Sequence, residues 1–275
     1  MPLSKVEVIA LGGFDGMHVG HQHLFDLLGE NGAIVVIETG YANLTPADER
    51  EHYTHYPVVY YSLEDIRHLE GEEFIALLCE RFPHLRTIVV GYDFHFGKNR
   101  RYSHAELGKL FSGDVKVVEE VCLDGDSIHS HKIRAKIQIG DIGGANRFLG
   151  HNYSIKGLVV KGQGIGKTKL VPTINLECPG YLLPAEGVYA ALTRLGNEEH
   201  YHPSVVFLGH RATTDGSYAV ESHILGETIG SYENASISFV KFLRKNMKFD
   251  SLDSLKQAIE NDIASAKREL RHLSL

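Results

Sequence analysis

The sequence predicts two folds in one chain: an α/β domain over residues 1–150 with a largely parallel sheet, then an all-β domain over 151–275 that ends in a helix. Three observations carry this. Up to about Gly150, short apolar runs alternate with stretches of helical periodicity, as in an α/β layer structure. Beyond it, runs of β-branched and aromatic residues are punctuated by Gly, Asn, Asp or Pro, which suits an antiparallel barrel or sandwich. The length of 275 residues, 43% of them apolar, supplies two cores.

In the first domain, Val6 to Leu11, Ala33 to Ile37, Thr87 to Val90 and Val115 to Val121 read as strands. Between them Glu72 to Phe82 places Phe74, Ile75, Leu77 and Leu78 at helical spacing, and Ile133 to Phe148 reads as helix interrupted near Gly143-Gly144. The polar segment Thr39 to Tyr56 shows no period and reads as a long loop. In the second domain Ser154 to Val160, Gly187 to Leu195, Val205 to Leu208, Tyr218 to Leu225 and Ala235 to Phe242 read as strands. Asp250 or Ser251 caps a last helix whose Leu252, Leu255, Ile259, Ile263, Ala266 and Leu270 share one face.

Composition narrows the function. With 28 Lys+Arg against 35 Asp+Glu the formal net charge is −7, which argues against a nonspecific nucleic-acid binder. No apolar run approaches the ~20 residues of a membrane-spanning helix, and the N-terminus lacks a signal-peptide pattern, so a cytoplasmic protein is expected. Cys79, Cys122 and Cys178 form no C-x-x-C pair, which points to neither a disulfide framework nor a thiolate zinc site. Most of the 17 histidines, including His200 and His202, are scattered and read as solvated or hydrogen-bonded surface residues.

Three stretches carry chemistry. The first, Gly12-Gly13-Phe14-Asp15-Gly16-Met17-His18-Val19-Gly20-His21, joins the first strand to a helix. Glycine-rich turns leading into helix N-termini gather backbone N–H groups around anions, and His18 and His21 can face one bound phosphate. Walker A and G-x-G-x-x-G are both absent, which leaves the H-x-G-H arrangement of nucleotidyltransferases. A metal half-site or simple capping is the alternative use of the two imidazoles. The second stretch, Val90 to Arg101, follows a strand end and includes Gly91, Asp93, Phe94, Phe96 and Gly97. Its aromatics either stack on a flat ring, with Lys98, Arg100 and Arg101 toward phosphate, or pin the loop to the core. The third is Gly162-Gln163-Gly164-Ile165-Gly166-Lys167-Thr168, followed by Pro172-Thr173-Ile174-Asn175. A glycine loop with lysines can close over polyphosphate, and Thr173 and Asn175 alternate onto one side of a strand as hard oxygen ligands suited to Mg²⁺. A surface hairpin followed by an ordinary strand is the plainer alternative.

Together these stretches resemble the bacterial bifunctional riboflavin kinase/FAD synthetase (FMN adenylyltransferase) family over nearly the whole chain. The first matches G-x-F-D-G-x-H-x-G-H, the second V-V-G-x-D-F-x-F-G, and the third a glycine loop followed by P-T-x-N. The resemblance implies a nucleotidyltransferase-like domain with a Rossmann-like parallel sheet, then a riboflavin kinase barrel with a C-terminal helix. It implies two ATP-dependent reactions, riboflavin to FMN in the second domain and FMN to FAD in the first, with Mg²⁺ and no nucleic-acid or membrane partner. In the first domain Gly12, Gly13, Phe14, Asp15, Gly16, Gly20, Gly91, Asp93 and Ser130 would hold the nucleotide, with His18, His21 and Arg134 catalytic. Phe94, Phe96, Gly97, Tyr189 and Arg244 would bind flavin. In the kinase, Gly162, Gly166, Lys167, Thr168, Thr173 and Asn175 would bind nucleotide, Thr173 and Asn175 also the metal, and Glu221 would act as general base on the ribityl 5′-hydroxyl.

In the kinase loop Leu170 stands where the family usually has Gly, and in the first domain the chain departs from the family in two places. Ile37-Glu38-Thr39-Gly40-Tyr41 stands where the family has Phe-x-Pro-His-Pro, and in Ile128-His129-Ser130-His131-Lys132-Ile133-Arg134 two histidines replace hydroxyl residues of I-S-S-T-x-I-R. Adenylylation is expected to persist through His18, His21 and Arg134. Two other readings use the same residues: a kinase with a degenerate first domain, and a noncatalytic flavin or nucleotide sensor.

Overall fold

The structure is a computed structural model that describes residues 2–161, 171–211, 216–226, 230 and 232–273. Two compact units divide at Ser130/His131.

The first unit is built on a five-stranded parallel sheet ordered β3-β2-β1-β4-β7. Its strands are β1 (Val8–Gly12), β2 (Gly32–Glu38), β3 (Val58–Ser62), β4 (Thr87–Gly91) and β7 (Asp114–Val118). Ile9, Leu11, Ala33, Val35, Ile88 and Val90 pack one face, while Ala10, Ile34, Val36 and Val89 pack the other. Burial on both faces explains why these strands read as continuous apolar runs instead of alternating ones. Helices α1 (Val19–Phe25), α2 (Leu63–Ile66), α3 (Gly71–Arg81) and α4 (His104–Leu110) complete the layers. Small hairpins β5 (His95–Phe96) with β6 (Tyr102–Ser103) and β8 (Cys122–Leu123) with β9 (Asp126–Ser127) lie beyond β4 and β7 in the chain.

The sequence reading missed β3, and its loop over 39–56 contains a 3₁₀ helix, Ala47–Tyr53. The 3₁₀ helix sits where polar residues hide the period, whereas β3 is a short run of five residues just after it.

The second unit is a closed barrel, β10-β11-β14-β13-β12-β15, in which every neighbouring pair is antiparallel. The strands are β10 (Ser154–Val160), β11 (Ile174–Glu177), β12 (Gly187–Leu195), β13 (His202–His210), β14 (Tyr218–Ile224) and β15 (Asn234–Lys245). Closure decides between the barrel and the sandwich that the sequence left open. Buried Thr193, Ser204 and Ser222 link their hydroxyls at 2.8 Å, so this polar patch of the barrel is internally paired.

Helix α5 (Ser130–Gln138) begins at the division, and α6 (Ile142–Leu149) follows it. The break falls at Gly140, whose φ of +81° suits glycine, and not at Gly143-Gly144. Those two glycines lie in the first turn of α6, where Asp141 accepts a hydrogen bond from the Gly144 N–H at 3.0 Å. A Cβ on Gly144 would meet that carboxylate at 2.1 Å. The last helix, α7 (Leu252–Leu270), is capped by Ser251 and packs on β12, β13 and β15 through Ile263, Ala266 and Leu270.

Candidate active sites

In the first unit the glycine loop leaves β1 and turns through two non-glycine residues with positive φ, Phe14 (+49°) and Met17 (+45°), with Gly16 at +92° between them. Such backbone persists only where the surroundings hold it. Asp15 supplies the hold: its buried carboxylate accepts from the backbone N–H groups of Asn43, Leu44 and Thr45 at 3.3, 3.0 and 2.9 Å. The Gly16 N–H donates to the Thr45 hydroxyl at 2.8 Å, and the Ser130 hydroxyl donates to the Asp15 carbonyl at 2.8 Å. Asp15 and Ser130 thus shape the loop.

His18 and His21 come together as the spacing predicts, their rings stacked with centroids 3.5 Å apart. His18 caps α1 by accepting the His21 backbone N–H on Nδ1 at 3.3 Å, so its neutral ring carries the proton on Nε2. Gly20 makes room, since a Cβ there would stand 3.2 Å from the His18 ring. Gly12 does the same for Phe14, whose ring meets His21 edge-on. The His21 Nδ1 is sealed from solvent and has no partner among the described residues. Burial first, then repulsion from a second proton on His18 and from the Arg50 guanidinium, hold the His21 imidazole well below its ordinary pKa.

Arg50 was not anticipated from sequence. It is 1% exposed, on the 3₁₀ helix after β2, and donates from Nη1 to Glu38 at 2.8 Å and to the Ala47 carbonyl at 2.9 Å. Glu38 belongs to the segment where the family's Pro-His-Pro is replaced. A buried guanidinium paired with a carboxylate therefore stands at this strand end.

In the second stretch Phe96 is a core residue, packed with Phe74 and Tyr102, while Phe94 stacks on it and keeps partial exposure. Gly97 sits at φ +68° and would drive a Cβ to 2.6 Å from the Tyr102 ring. Gly91 ends β4, and Asp93 is exposed. Lys98 and Arg101 pair with Glu70 at 4.0 and 2.5 Å. His129, one of the two replacements, lies 3.0 Å from Glu120, which also accepts from the Tyr92 hydroxyl at 2.9 Å. That bond pushes the Tyr92 phenol up to about 12. Arg134, on α5, belongs to the second unit.

In the barrel, Asn175 on β11 and Glu221 on β14 are cross-strand partners. Arg211 lies between them: its Nε donates to Glu221 Oε1 at 2.7 Å, its Nη2 to Asn175 Oδ1 at 2.6 Å, and its Nη1 to the Ser217 hydroxyl at 2.7 Å. Sequence reasoning did not single out Arg211, because an arginine ten residues before a strand glutamate carries no periodic signal. Thr173, two residues before Asn175, is half-buried like it, while Ile174 and Leu176 between and after them are buried. Alternation therefore puts the two polar side chains on one side. The Thr173 hydroxyl and the Asn175 amide oxygen are hard donors that fit a divalent cation, and the guanidinium on Asn175 Oδ1 shows that this place accepts a positive charge.

Tyr189 and Arg244, expected as flavin contacts, both have protein partners. Tyr189 is fully buried among Phe239 and Phe242, its hydroxyl donates to the Ala185 carbonyl, and burial raises its pKa. Arg244 makes a two-pronged ion pair with buried Asp262 of α7, at 2.9 and 2.7 Å, and stands over the Phe249 ring. Gly162, Gly166, Lys167 and Thr168 lie outside the described residues.

Comparison with known proteins covers both units. A FAD synthetase family model matches residues 38–132, and a riboflavin kinase family model matches 149–270. The chain is 28% identical to the bifunctional riboflavin kinase/FMN adenylyltransferase of Listeria monocytogenes, over 93% of this chain and 90% of that one. It is 29% identical to the protein of the same description from Escherichia coli K12, over 94% and 91%. A solved structure from Streptococcus pneumoniae, described as a macrolide-efflux protein, superposes with a TM-score of 0.82 at 26% identity, covering 98% of this chain and 95% of its own. Among the described residues no helix is long and apolar enough to cross a membrane.

Proposed function

The chain belongs to the bifunctional riboflavin kinase/FMN adenylyltransferase family, and on that premise we propose which of its residues carry each reaction. It phosphorylates riboflavin to FMN and adenylylates FMN to FAD, with ATP as co-substrate of both steps. We assign the first step to the barrel and the second to the parallel-sheet unit, and the same proposal sets the protein in the cytoplasm.

In the kinase Glu221 aligns the ribityl 5′-hydroxyl and accepts its proton as the oxygen attacks the γ-phosphorus. Among the described residues Oε1 is engaged by Arg211, which leaves Oε2 for that hydroxyl. Thr173 and Asn175 hold the metal, taken here as Mg²⁺, whose charge when bound offsets that of the ATP phosphates. Arg211 fixes the carboxylate's orientation through Oε1 and gives up Asn175 Oδ1 when the metal takes that oxygen. In the adenylyltransferase the His18 Nε2–H donates to the nucleotide phosphates, and the His21 ring, kept neutral by burial, lines the same place. Asp15 and Ser130 act at one remove, by fixing the glycine loop.

The observation that supports this reading most directly is the Asn175–Glu221 pair gathered around one positive group. The test starts parallel reactions from riboflavin and from FMN, with ATP and Mg²⁺, and separates the flavins by chromatography. Glu221→Gln should slow FMN formation by at least ~100-fold while FMN is still converted to FAD. His21→Ala should do the reverse, slowing FAD formation by ~100-fold or more. Either variant failing to separate the two activities, or FMN giving no FAD in the wild type, overturns the assignment.

A further inference from the structure

Beyond both reactions, we propose a metal site: Glu198, His200 and His202 bind one Zn²⁺ ion at the turn between β12 and β13. The sequence reading set these histidines aside as scattered. Folding brings them together, because the chain turns at Gly196 (φ +54°) and returns Glu198 toward the start of β13. The Glu198 Oε2 lies 2.6 Å from His202 Nε2 and 3.9 Å from His200 Nε2, and one donor atom from each residue falls within 4.8 Å of the other two. Bonds of about 2.0–2.1 Å to a tetrahedral Zn²⁺ put neighbouring donors roughly 3.3 Å apart. The observed spacings straddle that value, so closing on the ion needs side-chain adjustment and no backbone change.

The surroundings fit a metal site as well. The Tyr232 hydroxyl donates to the other carboxylate oxygen of Glu198 at 2.9 Å, which orients the ligand from outside, as outer partners of metal ligands do. The Tyr232 ring also covers Gly196, where a Cβ would stand 3.4 Å from it. His202 is buried, Glu198 half-buried and His200 exposed, which gives a floor, a wall and an entrance. Two imidazoles and one carboxylate select a transition metal over Mg²⁺, and leave a fourth position for water. The site is separate from the kinase centre. His202 precedes Phe207, the cross-strand partner of Glu221, by five residues, on the order of 16 Å along the strand.

The test uses tag-free, full-length protein stripped of metal and titrated with Zn²⁺ alone by calorimetry, with Co²⁺ as a visible-absorption probe. Wild type should bind one equivalent of Zn²⁺ at a site that is weakened at least 10-fold in His200→Ala and in Glu198→Gln. Co²⁺ should show the strong d–d bands of a low-coordinate site in wild type only. Because His200 is exposed, His200→Ala keeps the fold, checked by circular dichroism, and should phosphorylate riboflavin at the wild-type rate. Wild type with no one-equivalent site, or His200→Ala binding Zn²⁺ as tightly as wild type, overturns the proposal.

Discussion

At the scale of single residues, the side chains that build the first site differ in how they announce themselves. His18 and His21 are legible because their spacing is the message, and their stacked rings follow from it. Asp15 is legible as a site residue, but its work is to hold three backbone amides, which no one-dimensional pattern shows. Arg50 was invisible, since a buried arginine in a polar stretch looks like a solvated one until the fold closes over it. His21 gives a test in solution. Its folded pKa is depressed below the ordinary 6.5, so the unfolded chain takes up the proton more readily. The stability that this ring contributes is therefore complete above about pH 6.5 and is lost as the pH falls below that value toward the folded pKa. Denaturant titrations between about pH 7.5 and 5 should show a steeper loss for wild type than for His21→Gln. Parallel curves for the two proteins would remove His21 as the source.

Elements show a second pattern of success and failure. β10 and β12 have the bounds that the sequence predicts, because apolar residues fill both bodies and Gly187 and Gly196 bracket β12. β3 is harder to read because Val58–Ser62 is a five-residue edge strand whose apolar run is short and leads directly into the next helix. On α7 the predicted apolar face is buried toward its C-terminal end, at Ala266 and Leu270, while Leu252 is exposed, and the face includes Asp262, which is 7% exposed. A buried carboxylate is tolerable there because Arg244 of β15 meets it with two hydrogen bonds. Asp262→Ala leaves that guanidinium without its partner, which should cost about 3 kcal/mol. Urea unfolding followed by far-ultraviolet circular dichroism would measure it. A loss below about 1 kcal/mol would mean that the pair behaves like an ordinary surface ion pair.

For the whole molecule the informative comparison is between two boundaries. The riboflavin kinase model begins at residue 149, near the change of rhythm at Gly150, but the compact unit containing the barrel begins at His131. The side chain of Asn146 on α6 explains the difference: it donates to the Phe239 carbonyl at 2.9 Å and accepts from the Tyr153 N–H at 2.8 Å. Sequence rhythm records secondary structure, whereas a domain is bounded by packing, and helices before a barrel can belong to it. A fragment of residues 131–275 should fold and phosphorylate riboflavin, while 150–275 should melt several degrees lower or stay insoluble. Equal melting temperatures would return α5 and α6 to the status of a linker.

The barrel's closure also bears on how the chain behaves in a crowded solution. Its six strands pair around a ring, whereas the parallel sheet ends in β3 on one side and β7 on the other, each with a row of backbone groups unmatched within its sheet. Such rows are templates for association between chains, and charged residues along them, like Asp114 and Lys116 on β7, work against it. Self-association through strand edges therefore has its starting points in the nucleotidyl-transferring half of the protein.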